Sequence, residues 1–498
     1  MKDMKEFYQA LDRISSNKYF VLLFLPIAII FLLLYSYTTS PLFIHEGMDS
    51  AVFKTMGLAI LQGKIPYVDI FDHKGPILYF INALGQFLIP GRLGIFCLQV
   101  IGLSIVLIFL FKTANLFIGK FASFISVLIT LFVYGGVIQE GNQCEEWMMI
   151  FFSISLYYVL KYFTQNSIEE HHWRYSLIYG LCFGITFFIR PNDAIAQIGG
   201  IMFGLSIWLI YNKLYKNLLA NILSFIVGMS IVTLPVILYF AYHNAIDDML
   251  YGLIGFNAEY AGEVKSTLLS FIAKKKLELG LLFITLWIIT PSTKKQILYS
   301  LIPILCFQII LLGRNYFLHY YIVLIPIVLI YITFVILLRD RKLQIVAIAI
   351  FLLSTPFDDR QMLKIARKEA QYRLNMLFHQ EKIKDFYVET NRLLSNIPIE
   401  ERNKVWNHNL MWGNTPNFSC LLHNGIVQCN LITYGTNSFL ESQDNILEYK
   451  PMWVIAENHD EDWRKNMFLI DSTLISAYEY VAKTDTTICH LELYHLKQ

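Results

Sequence analysis

The chain of 498 residues is 56% hydrophobic and 16% charged, with a mean hydropathy of +0.49 and a formal net charge of +2. Apolar content this high, gathered in long blocks, exceeds that of an ordinary soluble domain and makes lipid the solvent for most of the chain. The near-neutral charge, with no long basic run and no zinc-ligand spacing, excludes nucleic acid as a partner.

At roughly 18 apolar residues per crossing, the sequence predicts clear spans over 19–37, 94–111, 121–138, 194–211, 218–242 and 317–338. Weaker ones fall near 147–163, 175–189, 277–290, 297–312 and 343–356, so the expectation is a polytopic α-helical membrane protein with about 11 transmembrane helices. The first span has the charged start of a signal peptide but lacks a small-residue cleavage site after it, and so reads as a retained anchor. Seven scattered cysteines, Cys97, Cys144, Cys182, Cys306, Cys420, Cys429 and Cys489, form no CxxC pair or disulfide framework and read as span-filling residues.

Orientation follows from Lys and Arg, which cytoplasmic loops retain. With the N-terminus inside, the inner segments hold fifteen of these residues against ten in outer loops of greater total length. An odd number of spans then leaves residues 357–498 outside. This tail opens with a polar, helical-looking stretch (Arg360 to Ser395) and continues in alternating runs, "MWVIAE" and "ICHLELYHL", that predict strands. The expected organisation is a transmembrane catalytic domain over 1–356, with a long first outer loop at 40–93, and an extracytoplasmic α/β domain over 357–498. The whole would sit as a multi-pass protein in the cytoplasmic (inner) membrane.

On this topology every unusual polar cluster lies at the outer surface: "HEGMDS" with Asp49, "DIFDHKGP" with Asp69, Asp72, His73 and Lys74, "QEGNQCEEW" with Glu140, Glu145 and Glu146, "IRPND" with Arg190 and Asp193, and "GRNYFLHYY" with Arg314 and His319. Ionisable groups at membrane depth are costly, and where they persist they usually face a cavity and do work. Each cluster also has a plain structural reading. Asp49 suits a helix cap, Lys74 and Arg92 suit snorkelling anchors, and Glu145 and Glu146 suit a helix N-terminus. The joint occurrence of acids and bases on one face favours a site. A membrane enzyme taking a sugar from a polyprenyl-phosphate needs a carboxylate to deprotonate the acceptor hydroxyl and cations to hold the departing phosphate.

The stretch "EGMDSAVFKTMGLAILQGKIPYVDIFDHKGPILYFINALG" after one N-terminal span resembles the first outer loop of the GT-C glycosyltransferases, in the branch of protein O-mannosyltransferases and lipid A aminoarabinose transferases. Asp49 matches the acid taken as catalytic base in that branch. Gly63, Pro66 and Tyr67 match its G-x-x-P-Y turn, and Lys74 with Pro76 matches its Lys-Pro segment. His73 stands where the branch more often has Glu, and Gly75 is inserted before the proline, so Asp72 is the candidate to take over that acid's role. "GNQCEEW", "IRPN" and "HYYIVLIPI" are similar, more weakly, to later outer segments of the branch.

The resemblance implies a GT-C-like fold and an inverting transfer of a hexose or pentose from a polyprenyl-phosphate-linked donor to an envelope glycan, lipid or protein, at the outer membrane face. Asp49 and Asp72 are then the catalytic candidates, and Tyr67, His73, Lys74, Glu145, Glu146, Arg190, Arg314 and His319 the substrate-binding ones. Metal dependence stays open: no cofactor is fixed, and His73 with Asp72 would hold the phosphate, the sugar or a divalent cation. The alternative class is a transporter of a lipid-linked saccharide or polysaccharide, which the lack of an inverted repeat and of matched broken helices disfavours.

Overall fold

The computed structural model describes residues 20–43, 48–165, 169–258, 267–311, 317–354, 381–408, 450–458, 476–484 and 490–497, with 371, 373–375 and 377–378 between them. Within lipid a backbone must satisfy its own polar groups, so the Leu-, Ile- and Phe-rich blocks become helices. In chain order these are α1 (Phe24–Tyr35), entered by a 3-10 turn at Phe20–Leu23, α2 (Met48–Leu61), α3 (Pro76–Leu88), α4 (Arg92–Ala114), α5 (Lys120–Val137), α6 (Cys144–Phe163) and α7 (Trp173–Phe187). After them come α8 (Pro191–Tyr211), α9 (Tyr215–Tyr242), the short α10 (Ile246–Leu250), α11 (Thr267–Ile289), α12 (Leu298–Leu311), α13 (Ile325–Leu337), α14 (Arg341–Leu353) and, in the tail, α15 (Glu381–Leu394).

Among the described residues six helical segments are long and apolar enough to cross a membrane: Arg92–Ala114, Lys120–Val137, Pro191–Tyr211, Tyr215–Tyr242, Ser292–Leu311 and Leu318–Leu337. Every one of the eleven predicted stretches falls on a helix. The structure redistributes their strength, however. The weak stretch at 297–312 is part of a full-length segment, whereas the clear first one appears as a shorter apolar helix, Phe20–Tyr35.

Close backbone approach packs α7 on α9. A Cβ added at Gly180 would lie 2.0 Å from the Phe225 carbonyl oxygen, and one at Gly228 would lie 2.2 Å from that of Leu177, the small-residue contact that membrane helices favour. At one end of this pair His171, before α7, is locked to α9. Its Nδ1 lies 2.7 Å from Asn221 Oδ1, and its carbonyl accepts from Asn217 and Asn221.

The loop between the first and second predicted spans is two helices in contact, α2 and α3. α3 buries Leu78, Tyr79, Asn82 and Ala83 while exposing Leu84, Phe87 and Leu88. This two-sided pattern suits a helix lying in a lipid interface.

The described part of the tail forms a four-stranded sheet ordered β1-β2-β4-β3, from β1 (Val405–His408), β2 (Trp453–Asn458), β3 (Tyr478–Lys483) and β4 (His490–Leu496). β1 runs parallel to β2, and the other pairs are antiparallel. α15 covers one face of the sheet, burying Leu393 and Leu394 against Val405, Ile455, Leu491 and Leu493. Both alternating runs singled out in the sequence are strands here, β2 and β4.

Candidate functional site

The loop "YVDIFDHKGP" is fixed at both ends. Tyr67 adopts φ +70°, a left-handed conformation uncommon for a bulky residue and held only where surroundings over-determine it. Here its N–H donates to the Ile70 carbonyl (2.7 Å), its hydroxyl donates to the Lys74 carbonyl (2.6 Å), and its ring packs on Tyr79 and Phe240. At the other end Gly75 donates to the Ile189 carbonyl (3.0 Å), and a Cβ there would lie 2.0 Å from the Phe188 carbonyl oxygen. Only glycine therefore lets the loop dock against residues 188–189, and Pro76 opens α3 immediately after. Gly75, one of the two departures from the pattern that the sequence suggested, is thus the residue that seats the loop beside Arg190.

Between these anchors three ionisable side chains form a chain. Asp72 is buried, with Oδ2 2.9 Å from the Tyr79 hydroxyl and Oδ1 3.3 Å from His73 Nδ1; His73 Nε2 lies 2.7 Å from Lys74 Nζ. Burial and the neighbouring Lys74 charge hold the His73 imidazole below its ordinary pKa. An ammonium can only donate, so its place 2.7 Å from Nε2 makes that nitrogen the acceptor and leaves the ring proton on Nδ1, turned to Asp72. Burial pushes the Asp72 carboxyl up, but the His73 contact and the Lys74 charge outweigh it, and the group stays below the usual carboxylate range. Phe256 stacks on the His73 ring (5.5 Å), and Asn257 donates to the His73 carbonyl (2.9 Å).

Asp49 stands in the first turn of α2, yet Glu140 serves the helix end. Its Oε1 accepts from the N–H groups of Asp49 (3.0 Å) and Ser50 (3.4 Å). The Asp49 carboxylate instead faces out, 39% exposed, with Oδ2 4.0 Å from His319 Nε2. His319 is buried, stacked on Phe317 and bonded through Nδ1 to Gln139 Oε1 (2.5 Å).

The two adjacent glutamates part company. Glu145 pairs with Arg190, which also reaches Asp193 (3.2 Å) and lies over the Tyr320 ring (4.1 Å). Asp193 accepts from Gln308 (2.8 Å). Glu146 instead closes the start of α6, accepting from the Gln143 N–H (3.1 Å) and from Gln99 (3.1 Å), whose own oxygen takes the Thr39 hydroxyl (2.5 Å). Of the two, Glu145 belongs with the charged cluster, and Glu146 braces α1, α4 and α6 behind it. Asp69 caps its own turn by accepting from the Ile65 N–H (2.7 Å). Arg314 lies outside the described residues.

The segments around Asp49, 72–74, 139–145, 190–193 and 319–320 therefore converge. Lys74 feels the charges of Asp72 and Arg190, and His73 that of Asp49. Sequence reasoning missed Tyr79, Gln139, Asn257 and the capping role of Glu140, all of which act across long separations or from beneath the charged residues. Among the described residues no group of three or more His, Cys, Asp or Glu side chains is arranged to hold a metal ion.

These elements define a multi-pass helical membrane protein, and solved membrane proteins share its fold. The structure of ArnT from Cupriavidus metallidurans bound to undecaprenyl phosphate superposes with a TM-score of 0.60 at 13% identity, over 96% of this chain and 98% of that one. The apo form of the same protein gives 0.59 at 14% identity, over 95% and 97%. The apo oligosaccharyltransferase of Archaeoglobus fulgidus aligns at 0.49 and 12% identity, over 89% of this chain and 70% of that one. No curated protein matches the sequence. Residues 9–391, more than half of the chain, match the family described as "Putative competence-induced protein Ccs4 N-terminal domain", and the chain belongs to that family.

Proposed function

We propose that this protein is a membrane glycosyltransferase that moves a sugar from a polyprenyl-phosphate donor to an envelope glycan, lipid or protein at the outer face of the cytoplasmic membrane. One observation carries the reading: Glu140 and His319 hold the partly exposed Asp49, residues 188–189 seat the loop that carries Lys74, and Arg190 lies over Tyr320, next to His319, so segments distant in sequence join the two. The fold shared with a protein crystallised on undecaprenyl phosphate is in keeping with it. An apolar cavity of about 510 Å³ between α1, α5, α13 and α14, walled by Tyr35, Phe132, Val133, Tyr331 and Phe351, offers a lipid tail apolar surroundings.

In this scheme Asp49 takes the proton of the acceptor hydroxyl as its oxygen attacks the anomeric carbon. The bond from that carbon to the phosphate oxygen breaks, and polyprenyl phosphate leaves with its electron pair. A single displacement inverts the centre. Lys74 meets the departing charge, because the neutral His73 and Asp72 behind it orient the ammonium. Arg190 already answers two carboxylates, so its role is to order Tyr320 and the 188–193 turn.

Purified protein in nanodiscs, given polyprenyl-phosphate monosaccharides and an envelope fraction as acceptor, is expected to release polyprenyl phosphate with transfer of the sugar. Lys74→Ala should raise the donor KM by about tenfold or more, since a charged contact is worth roughly 1.5–3 kcal/mol. Passage of an intact lipid-linked saccharide across the bilayer without bond cleavage would replace the reading with a transporter.

Eleven crossings, an inside N-terminus and an outside tail complete the proposal. A cysteine at Gln62, exposed just beyond α2, should react with an impermeant thiol reagent in intact cells, whereas one at the exposed Lys216 should not. The reverse pattern would put Asp49 and Lys74 in the cytoplasm and favour a soluble nucleotide-sugar donor.

A further inference from the structure

Arg373 comes from the tail, yet its guanidinium is buried among the transmembrane helix ends. NH1 donates to the carbonyls of Leu34 (3.1 Å) and Tyr35 (2.6 Å), at the last residues of α1; NH2 donates to those of Ile138 (3.4 Å) and Gln139 (3.2 Å), just past α5. The group also lies over the Tyr35 ring at 4.8 Å and the Tyr37 ring at 5.9 Å. The last carbonyls of a helix have no partner within it and carry the negative end of its dipole. One planar fork therefore satisfies two helix ends at once, a geometry an ammonium cannot copy.

What the fork grips matters more than the grip. Gln139 holds His319 through its side chain (2.5 Å), and His319 faces the Asp49 carboxylate at 4.0 Å. The next residue, Glu140, holds the backbone of Asp49 and Ser50. Residues 138–140 thus fix Asp49 twice, by its helix start and by the imidazole it faces, and Arg373 fixes residues 138–139.

We propose that Arg373 is a positioning residue for Asp49, so that the C-terminal region takes part in building the outer site. The kinetic side of this inference rests on the transferase reading; the geometric side does not. Arg373→Ala is expected to lower kcat on the order of tenfold to a hundredfold, the size of effect a displacement of about 1 Å can have, with the donor KM unchanged. Arg373→Lys, which keeps the charge and loses the fork, should restore less than half of the lost turnover. Pairing Arg373→Ala with Gln139→Ala should cost less than the sum of the two, because both act through one connection.

A measurement without catalysis separates the two readings. In an Asp49→Cys background, Arg373→Ala should change the rate of thiol labelling at position 49 by at least about threefold, while leaving the rate of a cysteine at Gln62 as it was. Should Arg373→Ala fail to fold, Arg373→Lys is measured in its place. If the parent protein transfers no sugar but the labelling rate at position 49 shifts, the transferase reading falls and the positioning role stands. Equal labelling rates at position 49 in the parent and the Arg373 variant overturn the positioning role, whatever the activity.

Discussion

Asp49→Asn is expected to lower turnover by about 10²–10⁴-fold, the usual contribution of a general base, while donor KM and melting temperature stay near those of the parent. The change removes a proton acceptor and keeps the shape. It should not disturb the fold, because the carboxylate is partly exposed and the start of α2 is closed by Glu140. Were Asp49 merely a helix cap, the opposite pattern would follow, a loss of stability of roughly 0.5–2 kcal/mol with turnover intact. Single-turnover kinetics and a thermal melt on one preparation tell the two apart. An Asn variant that keeps more than about half of the parent's turnover, far outside the general-base range, would move the base elsewhere.

What could be read from the sequence, and what could not, divides along a physical line. Long apolar blocks declare helices because a backbone in lipid must satisfy its own polar groups, and each of the eleven stretches is helical over most of its described residues. The charged cluster at 69–74 stood out for the same reason: ionisable residues beside apolar spans need a cause. Which of two neighbouring acids faces the cluster was hidden, since one step along a helix turns a side chain by about 100°. Glu145 meets Arg190 on one side of α6, and Glu146 meets Gln99 on the other. The partnership of Gln139 with His319 spans 180 residues, and nothing in either neighbourhood announces it. Gly75 looked like an insertion into a familiar pattern, but its reason lies in the Phe188 carbonyl, more than a hundred residues away. Arg373 was one cation in a polar stretch until two helix ends were found around it.

Arg190 carries the second large expectation, and it concerns stability before catalysis. Its guanidinium lies between Glu145 and Asp193, both buried, and over the Tyr320 ring. Removing one partner from a buried ion pair costs about 3–5 kcal/mol, chiefly because the charge left behind is uncompensated. Arg190→Met leaves two such carboxylates, so its melting temperature in detergent should drop sharply and its yield with it. Adding Glu145→Gln and Asp193→Asn should recover most of the loss, because replacing a whole buried ionic group by neutral side chains of similar shape is often close to neutral. The recovered triple variant then reports on chemistry alone. If Arg190 only orders the 188–193 turn and Tyr320, that variant should keep the parent's donor KM to within a few-fold, in contrast to Lys74→Ala. A donor KM raised as far as in Lys74→Ala would instead make Arg190 a second phosphate ligand. A single Arg190→Met variant as stable as the parent would mean that the two carboxylates are not charged, and the ionic arrangement around Arg190 would have to be redrawn.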